Sequence, residues 1–241
     1  MYFLSFETST KIFSLALNKD EKTLRYRNIK SALVLEDSIL PEIDKMLDSA
    51  GVKFSQIDGF AIGLGPGSFT SLRVGLATVK AFAMSSAKPV VGIPTLDIIA
   101  SGVSEGAYDE ICVLNDARRG KFYSCLYTLK DAASGAVRKT DYLLASLEDI
   151  LEDVKGRTIF VGDGLKVCRS SIEEAYQKYS SKTKSHCKCL FANEKQWYPQ
   201  SRVMAGMAYQ RFKNKDHDDA AKLLPLYLYP QDCQVSKANI K

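Results

Sequence analysis

The sequence predicts an α/β protein of two lobes, each built on the same plan. Three observations carry this. Strand-like and helical runs alternate along the chain, the order that builds sheets covered by helices. A polar turn with one acidic residue joins two apolar strands near the N-terminus (Glu7-Thr8-Ser9-Thr10) and again in mid-chain (Asn115-Asp116-Ala117-Arg118-Arg119-Gly120). Each hairpin is followed by a third strand, a helix, a strand, a glycine turn and another helix, so a whole folding unit is repeated. The lobes divide at 1–103 and 104–241, with the C-terminal helices free to cross back onto the first lobe. At 241 residues each lobe has the length to bury a core.

In the first lobe, Tyr2 to Phe6 is apolar enough for a buried strand, and Ile12 to Leu17 alternates Phe13, Leu15 and Leu17 with Ser14 and Ala16. Thr23 to Ile29 supplies a third strand. A helix spans about Glu36 to Ala50, with Ile39, Ile43, Met46, Leu47 and Ala50 on one face and Gly51 as its stop. Pro41 suits a first turn better than a helix interior, which moves the expected start to Leu40. Phe60, Ala61, Ile62 and Leu64 end a strand that enters Gly65-Pro66-Gly67, and Ser68 or Thr70 caps the next helix. Val90 to Ile93 is a short strand, and Thr95 caps a helix through Ala100.

In the second lobe, Glu110 to Leu114 and Phe122 to Leu129 form the hairpin strands. Tyr142 to Ala145 is the third strand, and Leu147 to Val154 is a helix opened by Ser146. Thr158 to Val161 leads into Gly162-Asp163-Gly164 and a helix ending near Tyr179. Met204 to Phe212 and Asp218 to Leu224 are expected to be helical. Lys182 to Gln200 is the least regular stretch and is expected to be a mobile loop.

Composition excludes several classes. Hydrophobic residues at 46% and charged residues at 25% describe a globular chain. No apolar run approaches the ~20 residues of a membrane span, and MYFLSFETST has no basic leader, so a cytoplasmic protein is expected. A net charge of +5 with no arginine-rich helix gives RNA no obvious platform, and Lys178, Lys182, Lys184 and Lys188 suit a solvated surface. Six cysteines lack disulfide-framework spacing, and His186-Cys187-Lys188-Cys189 lacks the second ligand pair of a zinc site. With only His186 and His217 in the chain, neither beside a glycine turn, a histidine-based nucleophilic apparatus is not expected.

The run Gly63 to Lys80, GLGPGSFTSLRVGLATVK, is the most informative segment. A strand, a glycine turn and a capped helix can turn backbone N–H groups toward an anion. Yet no Walker lysine closes the turn. The candidate phosphate-facing cleft comprises Glu7, Thr8 and Ser9 with Gly65, Gly67, Ser68 and Thr70. The same glycines serve equally to let strand and helix pack closely. No metal ligand set is expected. The helix that follows is apolar nearly all round, the pattern of burial on more than one side. One side would meet the protein's own sheet and the other a partner.

These segments resemble the bacterial TsaB family, also called YeaZ, over nearly the whole chain. FETST is similar to that family's D-T-S-T turn, with Glu7 in place of aspartate. GPGSFTSLRVGLATVKAFA resembles its most specific signature, with Ser71 where glycine is usual. NDARRGKFY at 115–123 and LLPLYLYP resemble its second hairpin and C-terminal segment. The family's histidine-bearing stretch before the first helix is replaced by Leu33-Val34-Leu35-Glu36-Asp37.

The resemblance implies an actin/Hsp70/sugar-kinase-like fold with two ribonuclease-H-like lobes. It implies a non-catalytic subunit in the synthesis of N6-threonylcarbamoyladenosine at position 37 of tRNAs reading ANN codons. Such a subunit pairs with the catalytic relative TsaD, the pair recruits the ATPase TsaE, and tRNA is met through the complex. The subunit itself would require no cofactor, with ATP or ADP and Mg acting at the level of the complex. The expected interface, for TsaD or for a second copy, draws on Leu40, Ile43, Met46, Leu47, Val74, Val79 and Phe82. The rival function is a nucleotide-dependent ATPase or small kinase of the same fold; a glycoprotease-like peptidase ranks last.

Overall fold

The computed structural model describes residues 1–30, 35–104, 106–129, 136–154, 156–183 and 189–229. The first lobe contains β1 (Tyr2–Glu7), β2 (Ile12–Lys19), β3 (Lys22–Lys30), α1 (Leu35–Ala50), β4 (Gly59–Gly63), α2 (Phe69–Ser86), β5 (Val90–Ile93) and α3 (Thr95–Ser101). Its sheet runs β3-β2-β1-β4-β5, antiparallel among the first three strands and parallel from β1 through β4 to β5.

The second lobe contains β6 (Glu110–Asp116), β7 (Phe122–Leu129), β8 (Ala136–Arg138), β9 (Leu143–Ala145), α4 (Leu147–Asp153), β10 (Thr158–Val161), α5 (Leu165–Thr183), β11 (Cys189–Phe191) and α6 (Ser201–Lys213). Its sheet runs β8-β7-β6-β10-β11, the same order of third, second, first, fourth and fifth strand. The duplication read from the two hairpins is thus a duplication of topology. This duplicated order is the two-lobed plan that the resemblance to an actin/Hsp70/sugar-kinase-like fold implies. Where one third strand was expected, two short ones, β8 and β9, share the edge of β7.

Both faces of the first sheet are covered, which explains why β1 and β4 read as unbroken apolar runs. Leu4, Phe6, Phe60 and Ile62 pack under α1 and α2 with Ile39, Ile43, Met46, Leu76 and Val79. Phe3 and Ala61 face the opposite way, onto Ile98 of α3 and Met204, Ala205, Ala208 and Phe212 of α6. The alternation in β2 follows the same division. Phe13, Leu15 and Leu17 enter the α1–α2 layer, while the buried Ser14 anchors α6. Ser14 Oγ accepts from the Ser201 backbone N–H (2.8 Å), and Ser201 Oγ donates to the Ser14 carbonyl (2.6 Å). A serine pair therefore fixes where the C-terminal helix lands on the first sheet.

Helix α3 lies between the two sheets. Ile98 faces the first, while Leu96, Ile99 and Ala100 join Ile111, Val113 and Tyr127 of the second. Its Asp97 carboxylate accepts from the hydroxyls of Tyr127 (2.6 Å) and Tyr142 (2.8 Å).

Several expected boundaries are corrected. Helix α1 begins at Leu35, and Pro41 lies inside it instead of in its first turn. Asp218 to Leu224 is not helical. Asp218 bridges to Val90, its carboxylate accepts the Gly92 N–H (2.7 Å), and Leu226 donates to Leu64 (2.8 Å). The open edge of β5 offers this segment backbone partners that a helix would forgo. Between Lys182 and Gln200 the chain finishes α5, adds β11 and makes a 3-10 turn at Glu194–Gln196. His186, Cys187, Lys184 and Lys188 lie outside the described residues, as do Leu33 and Val34. Among the described residues no helix is long and apolar enough to cross a membrane.

Candidate functional site

The first hairpin turn is built inward. Glu7, Thr8 and Ser9 are all but inaccessible, at 0%, 1% and 2% exposure. Glu7 ends β1 on the face that meets α3. One carboxylate oxygen accepts the Ser9 N–H (2.6 Å) and the other accepts the Thr95 hydroxyl (2.9 Å). Thr95 Oγ1 also lies 3.1 Å from Ser9 Oγ and accepts the Gly65 N–H at 3.1 Å. Burial raises the Glu7 pKa above the usual carboxylate range, while hydrogen bonds from Ser9, Thr95 and Thr8 oppose the rise.

Thr95 was expected to cap α3. It is instead the first residue of that helix, with Pro94 at the cap, and its hydroxyl ties Glu7 to the glycine turn.

The glycines make room for this turn. A Cβ on Gly63 would lie 1.9 Å from a Glu7 carboxylate oxygen, one on Gly67 would lie 2.2 Å from the Ser9 carbonyl oxygen, and one on Gly75 would lie 2.4 Å from Thr8 Oγ1. The helix N-terminus is engaged in the same way, because Ser68 donates its N–H to the Ser9 carbonyl at 2.7 Å. Of the two uses open to these glycines, close packing is the one that the geometry displays. Glu7, Thr8, Ser9 and Gly65 are therefore internal parts of the lobe and do not line an open cleft. Gly67 is half-buried, and only Ser68 and Thr70 of the expected cleft are exposed. Gly67→Ala is expected to cost about 1–3 kcal/mol, because the obstructing atom is backbone and not a movable side chain. Chemical denaturation checks this; an unchanged midpoint would reject the packing role.

The second lobe repeats the device. A Cβ on Gly162 would meet the Leu114 carbonyl oxygen at 2.2 Å, and one on Gly164 would meet it at 2.8 Å. Asp163 accepts the Asp116 N–H (3.1 Å), and burial raises its pKa. The turn passes through Arg118, Arg119 and Gly120 with φ of 70°, 56° and 72°, while Asp116 accepts the Arg118 N–H at 2.8 Å. A cavity of about 490 Å³ opens beside this turn, between Arg118, Arg119, Leu147, Glu148 and Val167. Among the described residues no group of three or more His, Cys, Asp and Glu side chains could hold a metal ion.

The expected partner residues divide sharply. Ile43, Met46, Leu47 and Val79 are 0–4% exposed and belong to the protein's own core, so they are withdrawn as contact residues. Phe82 is half-buried, with its ring 4.9 Å from Phe54 and 5.6 Å from Phe60, and Val74 packs against the same core. Leu40 is exposed at 50%.

The outward arc of α2 is instead Thr70, Arg73, Ala77, Ala81 and Met84. Periodicity places Gly75 and Ala81 off the apolar stripe of α2, yet it assigns no contact to Arg73, Ala77 or Met84 and no close approach to Gly63 or Gly75. A signal existed for Gly75: glycine inside a helix costs ~1 kcal/mol unless something must approach closely.

Residues 30–239 match the family model described as TsaD, tRNA N6-adenosine threonylcarbamoyltransferase. The tRNA threonylcarbamoyladenosine biosynthesis protein TsaB of Escherichia coli is 27% identical over 168 residues, covering 68% of this chain and 72% of that one. Its namesake in Bacillus subtilis is 24% identical over 179 residues, covering 72% and 76%. A crystal structure from Pseudomonas aeruginosa, described as similar to peptidase YEAZ, superposes with a TM-score of 0.74 at 23% identity, covering 95% of this chain and 99% of that one.

Proposed function

Because this chain belongs to the TsaD threonylcarbamoyltransferase family, with TsaB proteins of tRNA threonylcarbamoyladenosine biosynthesis as its relatives, we propose that it is the non-catalytic scaffold of that synthesis. In this reading it pairs with a TsaD-type catalytic subunit, or with a second copy when that subunit is absent. The pair recruits a TsaE-type ATPase and modifies adenosine 37 of tRNAs that read ANN codons. The subunit needs no cofactor of its own, and ATP or ADP and Mg act in the complex.

The observation that carries this reading is the outward arc of α2. Ala77 and Ala81 are small and exposed, flanked by Thr70, Arg73 and Met84, and α1 with exposed Leu40 packs alongside. Small residues on an exposed face let another helix approach to the 8–10 Å of a packed pair. The inward-built Glu7 turn supports the same reading against an ATPase or kinase, because both oxygens of its carboxylate are already engaged by the Ser9 N–H and the Thr95 hydroxyl.

Ala77→Glu and Ala81→Glu are expected to leave the melting temperature nearly unchanged while weakening binding of the TsaD-type subunit by about 100-fold or more, since each would place an unpaired charge in the contact. Isothermal titration with the partner from the same organism is the test, with calorimetry of the isolated chain in magnesium-ATP beside it. Full affinity in both variants would remove α2 from the interface. Tight binding with turnover of ATP would favour the enzyme.

A further inference from the structure

At the N-terminal end of α2, three side chains from distant parts of the sequence form an ordered cluster on the surface. The Arg73 guanidinium carbon lies 3.7 Å from the centre of the Phe69 ring. Arg73 Nε donates to the Tyr227 hydroxyl at 3.1 Å, and the Tyr227 ring packs on Phe69 with centroids 5.2 Å apart. Despite these contacts the cluster stays open: Phe69 is 53% exposed, Tyr227 43%, and neighbouring Leu224 71%.

Lys80 Nζ donates to the Ala221 carbonyl at 3.1 Å, so residues 221–227 run beside α2 and are held to it at two points. Helical spacing puts Phe69, Arg73, Ala77 and Met84 on one side of α2. The cluster thus continues the arc of the proposed interface across to the C-terminal segment.

Resting on that reading, we propose that Phe69, Arg73, Leu224 and Tyr227 are the anchor of the interface, and that they receive a carboxylate of the TsaD-type subunit set within an apolar patch. The stacked guanidinium is held by its Nε and by its face. Its two terminal amines have no hydrogen-bond or ion-pair partner among the described residues. A planar fork fixed in this way is suited to bidentate contact with one carboxylate. Aromatic and arginine side chains ordered before binding lose little freedom on association and dominate interface energies.

A protein occupant fits better than RNA. The surroundings are Leu224, Met84, Ala77 and two aromatic rings, with Lys80 as the one further cation named beside Arg73. Backbone recognition of RNA relies on several cations that neutralise phosphates together.

The test measures affinity for the TsaD-type subunit in wild type, Arg73→Ala, Leu224→Ser and Tyr227→Phe, with Ala81→Glu as the control for the interface as a whole. Arg73→Ala is expected to weaken pairing about 30-fold and Leu224→Ser about tenfold, with circular dichroism unchanged. Tyr227→Phe keeps the stacked ring but frees Nε, and is expected to weaken pairing severalfold. Wild-type pairing that survives Arg73→Ala and Leu224→Ser but fails in Ala81→Glu overturns the anchor and leaves the scaffold intact. Absence of pairing in wild type overturns both. Unchanged pairing with weaker binding of an unmodified tRNA transcript by Arg73→Ala reassigns the cluster to RNA.

Discussion

Val79→Asp is expected to abolish folding and not merely to release a partner. The side chain is fully buried at 0% exposure, within the core layer that holds Leu76, Ala83, Phe6 and Ile62. An ionised carboxylate there would have no partner, and such a burial costs several kcal/mol even after relaxation. That is a large fraction of the 5–15 kcal/mol that holds a typical domain together. Val79→Ala isolates the packing share and should cost about 2–3 kcal/mol. Ala81→Asp, two residues along and exposed, carries the same charge and should keep the wild-type melting temperature. Thermal unfolding of the three variants separates the two sides of one helix. A Val79→Asp protein that melts like wild type would show that this side of α2 is not core.

Glu7→Ala is the second large effect. It removes the acceptor of the Ser9 N–H and of the Thr95 hydroxyl and leaves a hole between β1 and α3. An orphaned buried donor costs about 1–3 kcal/mol and the cavity adds to it, so a total of about 3–5 kcal/mol is expected.

The charge is a separate matter, and Glu7→Gln addresses it. Burial raises the folded-state pKa above its ordinary value of 4.5. Between the unfolded and folded pKa values the native protein binds more protons than the unfolded chain. Stability from this group is therefore full below 4.5 and is lost as pH rises through the folded pKa. Relative to Glu7→Gln, which does not titrate, wild type should become more stable as pH falls from neutral toward 4.5. Urea unfolding across that range reads the difference. A relative stability that instead rises with pH would mean that the hydrogen bonds outweigh burial and that the pKa is depressed.

The site residues differ in how far the sequence betrayed them. Ser68 at the start of α2 and the turn Gly65-Pro66-Gly67 were legible because caps and glycine turns are local chemistry. Thr95 looked like a cap because threonine before an apolar run is a cap in isolation. Its real partner, Glu7, lies 88 positions away and is joined only when α3 settles between the sheets. Asp218 to Leu224 has helical residue types, yet the vacant edge of β5 and the Gly92 N–H draw it out. Propensity is a weak preference that a row of unpaired backbone groups readily overrides.

The sequence by itself determined that the protein has two lobes of one plan, that β1, β4 and β6 are buried strands, and that α2 is apolar beyond what a single face requires. It also determined the family, through segments such as GPGSFTSLRVGLATVK. Only the tertiary structure decided which way each side chain of α2 points. Periodicity sets the phase of a helix when one side is apolar and the other polar. Here Val79 and Ala83 beneath the helix and Ala77, Ala81 and Met84 above it are all apolar. The pattern then carries no phase, and burial against the sheet is what tells core from contact. The tertiary structure likewise decided between the two uses of the glycines. A small residue allows close approach but does not name what approaches, and at Gly63, Gly67 and Gly75 it is the protein's own first turn.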